Sequence, residues 1–222
     1  MGALLSGVLP LAVGAAVSPS LFALQVMVLS GSRRRVSRAW AVVVGATATL
    51  AFYAALGLTV LENFGGHRRH SSLAAAVDLA AALLLALLAA RMLYRHPTAG
   101  EVQRRRSGSR LADASTISCV GIGAAAMLVN FSTLVLFLPA IREISHSPVG
   151  LAQKSLVTLV LVIVTLVAAW LPLALVVVFG RRADPLLSGL NRFVGAHSRE
   201  ITAGIELIFC GLLLWKAIGR LS

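Results

Sequence analysis

A few places in this chain set groups able to hydrogen-bond or exchange protons among apolar neighbours. Ser18, Pro19 and Ser20 interrupt the run "AVSPSLFALQ". A proline inside a helix removes a backbone donor and crowds the carbonyl four residues earlier, so polar groups are freed. Inside a bilayer only protein or a wet cavity can satisfy them. Gln25 lies two turns past Ser18 and can extend the same face. Asn130 and Ser132, in "LVNFSTLVL", bring an amide and a hydroxyl into a second apolar run. Ser18, Pro19, Ser20, Gln25, Asn130 and Ser132 are therefore candidate substrate-binding residues, suited to holding a polar group rather than to breaking a bond. Asp78 and Glu206 each lie about six residues inside an apolar stretch and are the proton-coupling candidates. A charge at the bilayer centre costs at least ~2.5–3.5 kcal/mol on insertion scales, which marks an intramembrane acid as functional by default. A buried carboxyl group can exchange protons as water reaches it from one side or the other. Plainer alternatives stand beside these readings: a packing kink satisfied by serine hydroxyls, and a pairing of each acid with a nearby arginine, such as Glu206 with one of the inner loop.

Other chemistries lack their residues. Cys119 and Cys210 are far apart, with no C-x-x-C between them, and read as packing residues. His67, His70 and His96 fall in loops without metal-ligand spacing. There is no phosphate-binding glycine loop, no nucleophile elbow and no Ser/His/Asp order. The expectation is a protein that is not an enzyme and uses no cofactor and no metal.

The elements that must position these groups follow from composition. With 58% hydrophobic and 13% charged residues and a mean hydropathy of +0.89, the chain is an integral membrane protein. Its 222 residues leave room for roughly six helical spans of about 20 residues in one domain, 1–222. Apolar stretches lie near 3–30, 38–61, 73–93, 115–140, 152–179 and 200–219. The first lacks a basic flank, and Pro19 would sit beside any cleavage site, so it reads as a retained span. The net charge of +12 lies between the spans, where it sets topology and meets membrane lipids; nucleic acid is not an expected partner. Alternate loops divide the 20 Lys and Arg unequally, 14 on the face with Arg33 to Arg38, Arg104 to Arg106 and Arg192, six on the face with both termini. The positive-inside rule places the arginine-rich loops in the cytoplasm and both termini outside. Arg104 to Arg106 read as topology determinants. The stretch "DPLLSGLNRFVGAHSRE" carries Leu186, Leu187, Leu190, Phe193 and Val194 at helical spacing and predicts a short amphipathic helix before the last span. Gly45 and Gly57 permit close helix approach, and Pro172 predicts a kink.

The two halves resemble each other. "VDLAAALLLALLAARM", from Val77, aligns with "IELIFCGLLLWKAIGR", from Ile205, and sets Asp78 on Glu206. "AVSPSLFAL" aligns with "LVNFSTLVL" and sets Ser18 on Asn130 and Ser20 on Ser132. Three spans per half make the second copy enter the membrane the other way up. The expected fold is therefore all-α, six transmembrane helices as two inverted three-helix repeats, 1–95 and 115–222, joined by a cytoplasmic linker at 96–114. Chance similarity between Leu/Ala-rich helices is the alternative. Inverted repeats with interrupted helices around a central site are the plan of many secondary transporters.

The opening "LAVGAAVSPSLFALQVMVLSGSRRRVSRAWAVVVGATATLAF", the element "LVNFSTLVLFLPAI" and the ending "LNRFVGAHSREITAGIELIFCGLLLWKAIGRL" resemble the GAP/Sap family, the sulfolipid- and glycopeptidolipid-addressing proteins of the lysine exporter (LysE) superfamily. The resemblance implies a multi-pass inner-membrane protein that moves, or helps move, complex lipids toward a mycolic-acid envelope, alongside large lipid transporters or lipid synthases. The family's A-x-S-P element falls on Ala16, Ser18 and Pro19. Its N-P-K element falls on Asn130, Phe131 and Ser132, so only the Asn is kept, and one broken helix beside one intact helix becomes an open alternative. Three functions are compatible with these features: export of an amphipathic lipid, proton-coupled export of small polar solutes such as amino acids, and a non-transporting scaffold for lipid-export machinery. Small-residue faces allow a homodimer without requiring one.

Overall fold

A computed structural model of the chain describes residues 2–30, 35–64 and 115–221, together with 83, 84, 87 and 90. Asp78, most of the expected third span, the 96–114 linker and Arg104 to Arg106 lie outside the described residues. Among the described residues all regular structure is helical. The chain runs through α1 (Gly2–Ala16), α2 (Pro19–Leu29), α3 (Arg35–Phe64), α4 (Thr116–Leu128), α5 (Phe131–His146), α6 (Leu151–Thr165) and α7 (Val167–Phe179). Gly180, at φ 58°, then ends α7 in a backbone region that favours glycine, and a 3₁₀ turn leads into α8 (Ala183–Leu221).

Among the described residues, Arg35–Thr59 of α3 is by itself long and apolar enough to cross a membrane. Three bent pairs pass the same test when each is taken together: α1 with α2 at 55°, α4 with α5 at 72°, and α6 with α7 at 68°. Among the described residues, up to four crossings follow from length and composition. Large apolar side chains face outward on these helices, among them Phe52, Ile117 and Val178. Lipid tails match such a surface and water does not.

The buried centre is made by α1, α2, α3, α5 and α7, where Val28, Val42, Phe137, Ile141 and Ala169 are fully enclosed. The first half of one bent pair packs on the second half of the next, α1 against α5, while α2 lies against α7 and α8. Cys119 and Cys210 are buried and free. The crossing of α3 and α4 is set by glycine. A Cβ on Gly45 would run into the Val120 carbonyl, and one on Gly123 into the Val42 carbonyl, so the two backbones touch where side chains would normally hold them apart. Gly57 similarly meets Ile141 of α5.

Three sequence expectations are corrected here. The amphipathic stretch is no separate short helix: α8 continues through 39 residues without a break, a length of roughly 58 Å. No proline stands between Leu186 and Leu221, and the polar side chains at the expected boundary bond back along the helix, Ser198 Oγ to the Gly195 carbonyl and Thr202 Oγ1 to the Ser198 carbonyl. The fifth stretch bends at Leu166 and not at Pro172, which lies within α7. Arg38, counted above with the loop arginines, lies within α3 and is buried, as is Arg142 within α5.

Candidate functional site

The first break begins where α1 ends at Ala16. Ser18 takes an extended conformation (φ −125°, ψ 93°), caps α2, and accepts a hydrogen bond from the Leu21 N–H at 3.3 Å. Pro19 follows at the first position of α2, where the missing N–H would have had no helical partner and its fixed φ suits the helix. Pro19 therefore starts a helix rather than deforming the interior of one. The carbonyl of Ala15, freed by the break, accepts from Thr133 Oγ1 at 3.1 Å.

The second break needs no proline. Val129 ends α4 in helical geometry, and Asn130 (φ −82°, ψ 75°) leaves it. The Asn130 side chain does not cap its own helix α5; its Nδ2 donates instead to Ser18 Oγ at 2.9 Å. Asn competes with the helix for hydrogen bonds, and here the winning partner is 112 residues away. Ser18 Oγ is thus the meeting point of Leu21, Asn130 and, at 3.3 Å, Ser20 Oγ. The two residues that the internal alignment superposes are bonded to each other.

One residue past the start of α5, Ser132 Oγ donates to Glu206 Oε1 of α8 at 2.5 Å. Glu206 is 2% exposed, and its Oε2 has no hydrogen-bond partner among the described residues. The carboxyl group stands beside the first turn of α5, whose unpaired N–H groups favour a negative neighbour.

Beside Ser18 lies a cavity of about 420 Å³. Val13, Ala16, Val17, Pro19 and Phe22 form one wall, Val164, Val167 and Ala168 at the third break a second, and Val194 and Ile201 of α8 the third. Ser18 is the one polar residue in that lining. Two of the three breaks thus border one apolar space, and the other is tied to it through the Asn130–Ser18 bond.

Against the expected set, Ser18, Ser20 and Asn130 come together, and Ser132 joins Glu206. Pro19 contributes backbone shape and a wall of the cavity. Gln25 goes elsewhere: it is fully buried, and its Nε2 donates to the Ala39 carbonyl at 3.1 Å, tying α2 to α3. The sequence reading missed Thr133, Thr165 and Trp170. Thr133 stands three residues past Asn130, on the same side of α5. The third break at Leu166 carries neither glycine nor proline; Trp170 Nε1 donates across it to the Ile163 carbonyl at 3.2 Å, while the buried Thr165 hydroxyl has no partner among the described residues. Among the described residues no group of three or more His, Cys, Asp or Glu could hold a metal ion.

The model of the family described as Sap, sulfolipid-1-addressing protein, matches residues 8–219. The chain belongs to this family. Neither the curated proteins nor the solved structures contain a match to it. The Sap match runs across both the Ser18 and Asn130 breaks and includes Glu206. This Sap-family chain is a membrane protein whose family description points to lipid addressing.

Proposed function

We propose that this Sap-family protein moves, or helps move, an amphipathic envelope lipid out of the inner membrane of a mycolic-acid-type bacterium. One observation carries the reading: the Ser18–Asn130 hydrogen bond borders an apolar cavity, so a polar headgroup site and a place for hydrocarbon adjoin at the same helix breaks. Headgroup hydroxyls or amides would exchange bonds with Ser18, Ser20 and Asn130, while an acyl chain lies against Val13, Phe22, Val164 and Ile201. A small-solute exporter needs a closed polar pocket, and the lining beside Ser18 is apolar. The six-span, inverted-repeat plan is part of this reading. Positions related by a two-fold axis in the membrane plane can meet where the axis passes, and the Ser18–Asn130 contact supports such an axis. Asp78 and Glu206 are proposed to couple movement to protons, with the arginine-rich loops inside and both termini outside. The protein performs no covalent chemistry in this reading and acts alongside large lipid transporters or lipid synthases.

Comparative lipidomics of the outer envelope, with and without this protein, tests the proposal. Loss of one amphipathic lipid class from the surface, with its accumulation inside, is expected. An unchanged surface profile together with altered amino-acid efflux would replace this reading with the small-solute exporter.

A further inference from the structure

A second, larger cavity of about 760 Å³ lies at the other end of α2. From Pro19 to Leu29 the helix rises about 15 Å, which separates this cavity from the break cluster. Its floor is apolar, from Val26, Leu29 and Leu187, and its rim is polar, from Ser30, Arg35, Ser188, Asn191 and Arg192. Leu187, Ser188, Asn191, Arg192 and Gly195 recur three and four residues apart on one face of α8, which supplies most of the lining. The outward face of the same segment is the apolar one: Leu186 is 61% exposed and Phe193 58%. A helix at a water-facing surface turns its leucines in. Here Leu187 turns in while Leu186 and Phe193 point out, and Ser188, Asn191 and Arg192 line the hollow, the arrangement of a wet cavity beside a hydrocarbon-facing wall.

Two cations and one anion line the cavity. Arg35 Nη1 donates to Asp184 Oδ1 at 2.9 Å, bridging α3 to the start of α8. Among the described residues Arg192 has no hydrogen-bond or ion-pair partner. The lining is therefore left with one cation unmatched, beside the Asn191 amide; the Ser30 and Ser188 hydroxyls already donate to the Val26 and Pro185 carbonyls. Its remaining guanidinium N–H groups fit the fork geometry of an oxyanion.

We propose that this cavity is a binding site for the oxyanion headgroup of an anionic lipid. Arg192 and Arg35 hold the oxyanion, the Asn191 amide completes its hydrogen bonds, and the chains leave over Val26, Leu29 and Leu187. Asp184 competes with the ligand for Arg35, so it sets the affinity. The site shares none of the residues proposed to take the transported headgroup, and binding is measured without transport, so the two proposals fail independently.

The test is native mass spectrometry of the full chain in an uncharged detergent, titrated with phosphatidylglycerol, phosphatidylcholine or inorganic phosphate. One phosphatidylglycerol should be retained about tenfold more tightly than phosphatidylcholine, the size of one charge-assisted hydrogen bond. Arg192→Gln should erase that preference and Arg192→Lys should keep most of it. Asp184→Asn, by freeing Arg35, should tighten binding about threefold or more, a gain that misfolding cannot imitate. Equal retention of the two lipids, or an Arg192→Gln variant that keeps the preference, overturns the proposal. Displacement by inorganic phosphate at concentrations comparable to the lipid would assign the site to a free oxyanion and overturn its lipid half.

Discussion

Ser18 joins both breaks through one hydroxyl oxygen, because it caps α2 and receives the amide of Asn130 at the same time. Each bond to it is modest. Interhelical hydrogen bonds in membranes average about 0.6 kcal/mol by double-mutant cycle, so Asn130→Leu is expected to leave a folded protein while removing the polar pair beside the cavity. The expected outcome is at least about a tenfold fall in surface lipid, read by envelope lipidomics at matched protein level; wild-type lipid delivery from Asn130→Leu would refute the assignment. Thr133 acts differently. Thr133→Val keeps the volume and strands the buried Ala15 carbonyl, a loss of about 1 kcal/mol, measurable as an earlier unfolding midpoint in a denaturing-detergent titration. At this scale the candidate residues were legible wherever a polar side chain interrupted an apolar run. Thr133 was not, because a threonine in a helix ordinarily bonds its own helix, as Thr47 does to the Val43 carbonyl.

The helices divide by the reason they end. α2 begins where a local signal says it should, at a serine cap followed by proline. α5 and α7 begin where no proline or glycine stands, and their starts are held by Asn130 reaching Ser18 and Trp170 reaching the Ile163 carbonyl. The bends at the two proline-free breaks are the larger, 72° and 68° against 55°. Both proposed half-sites are therefore broken helices, and the alternative of one broken and one intact helix is set aside. At the α3–α4 crossing the prediction is a contrast between neighbours on one helix. Gly123→Ala forces a methyl group onto the Val42 carbonyl, whereas Gly121→Ala meets nothing within 4 Å. Gly123→Ala is expected to cost roughly 1–3 kcal/mol, as overpacking does, and Gly121→Ala to be neutral or slightly stabilising. Thermal unfolding in detergent compares them, and equal midpoints would dismiss the close crossing.

For the molecule as a whole, the question is whether Glu206 takes part in transport or only holds α8 to α5. Glu206→Gln keeps the length and a hydrogen-bonding partner for Ser132 while removing the exchangeable acid. A carrier coupled to protons loses lipid delivery in Glu206→Gln and in Asp78→Asn, while a scaffold retains it. The readout is surface lipid per molecule of protein before and after collapse of the proton gradient. Sensitivity of the wild type to collapse, absent from both variants, supports coupling; indifference of all three to collapse favours the scaffold.

The solvent of this chain, its helical class and the position of its first break were all contained in the order of its residues, since hydropathy and capping are sums over a few neighbours. Family membership was legible for the same reason, in short stretches around Ser18, Asn130 and the final helix. Tertiary structure decided what those neighbours could not: that Asn130 bonds Ser18, that Gln25 serves α3, that the fifth stretch bends at Leu166, and that α8 runs on unbroken. The first two are settled by where an enclosed polar side chain finds its partner. In a medium that offers no hydrogen bonds, that partner is wherever the fold brings one, here 118 residues away for the carbonyl of Ala15.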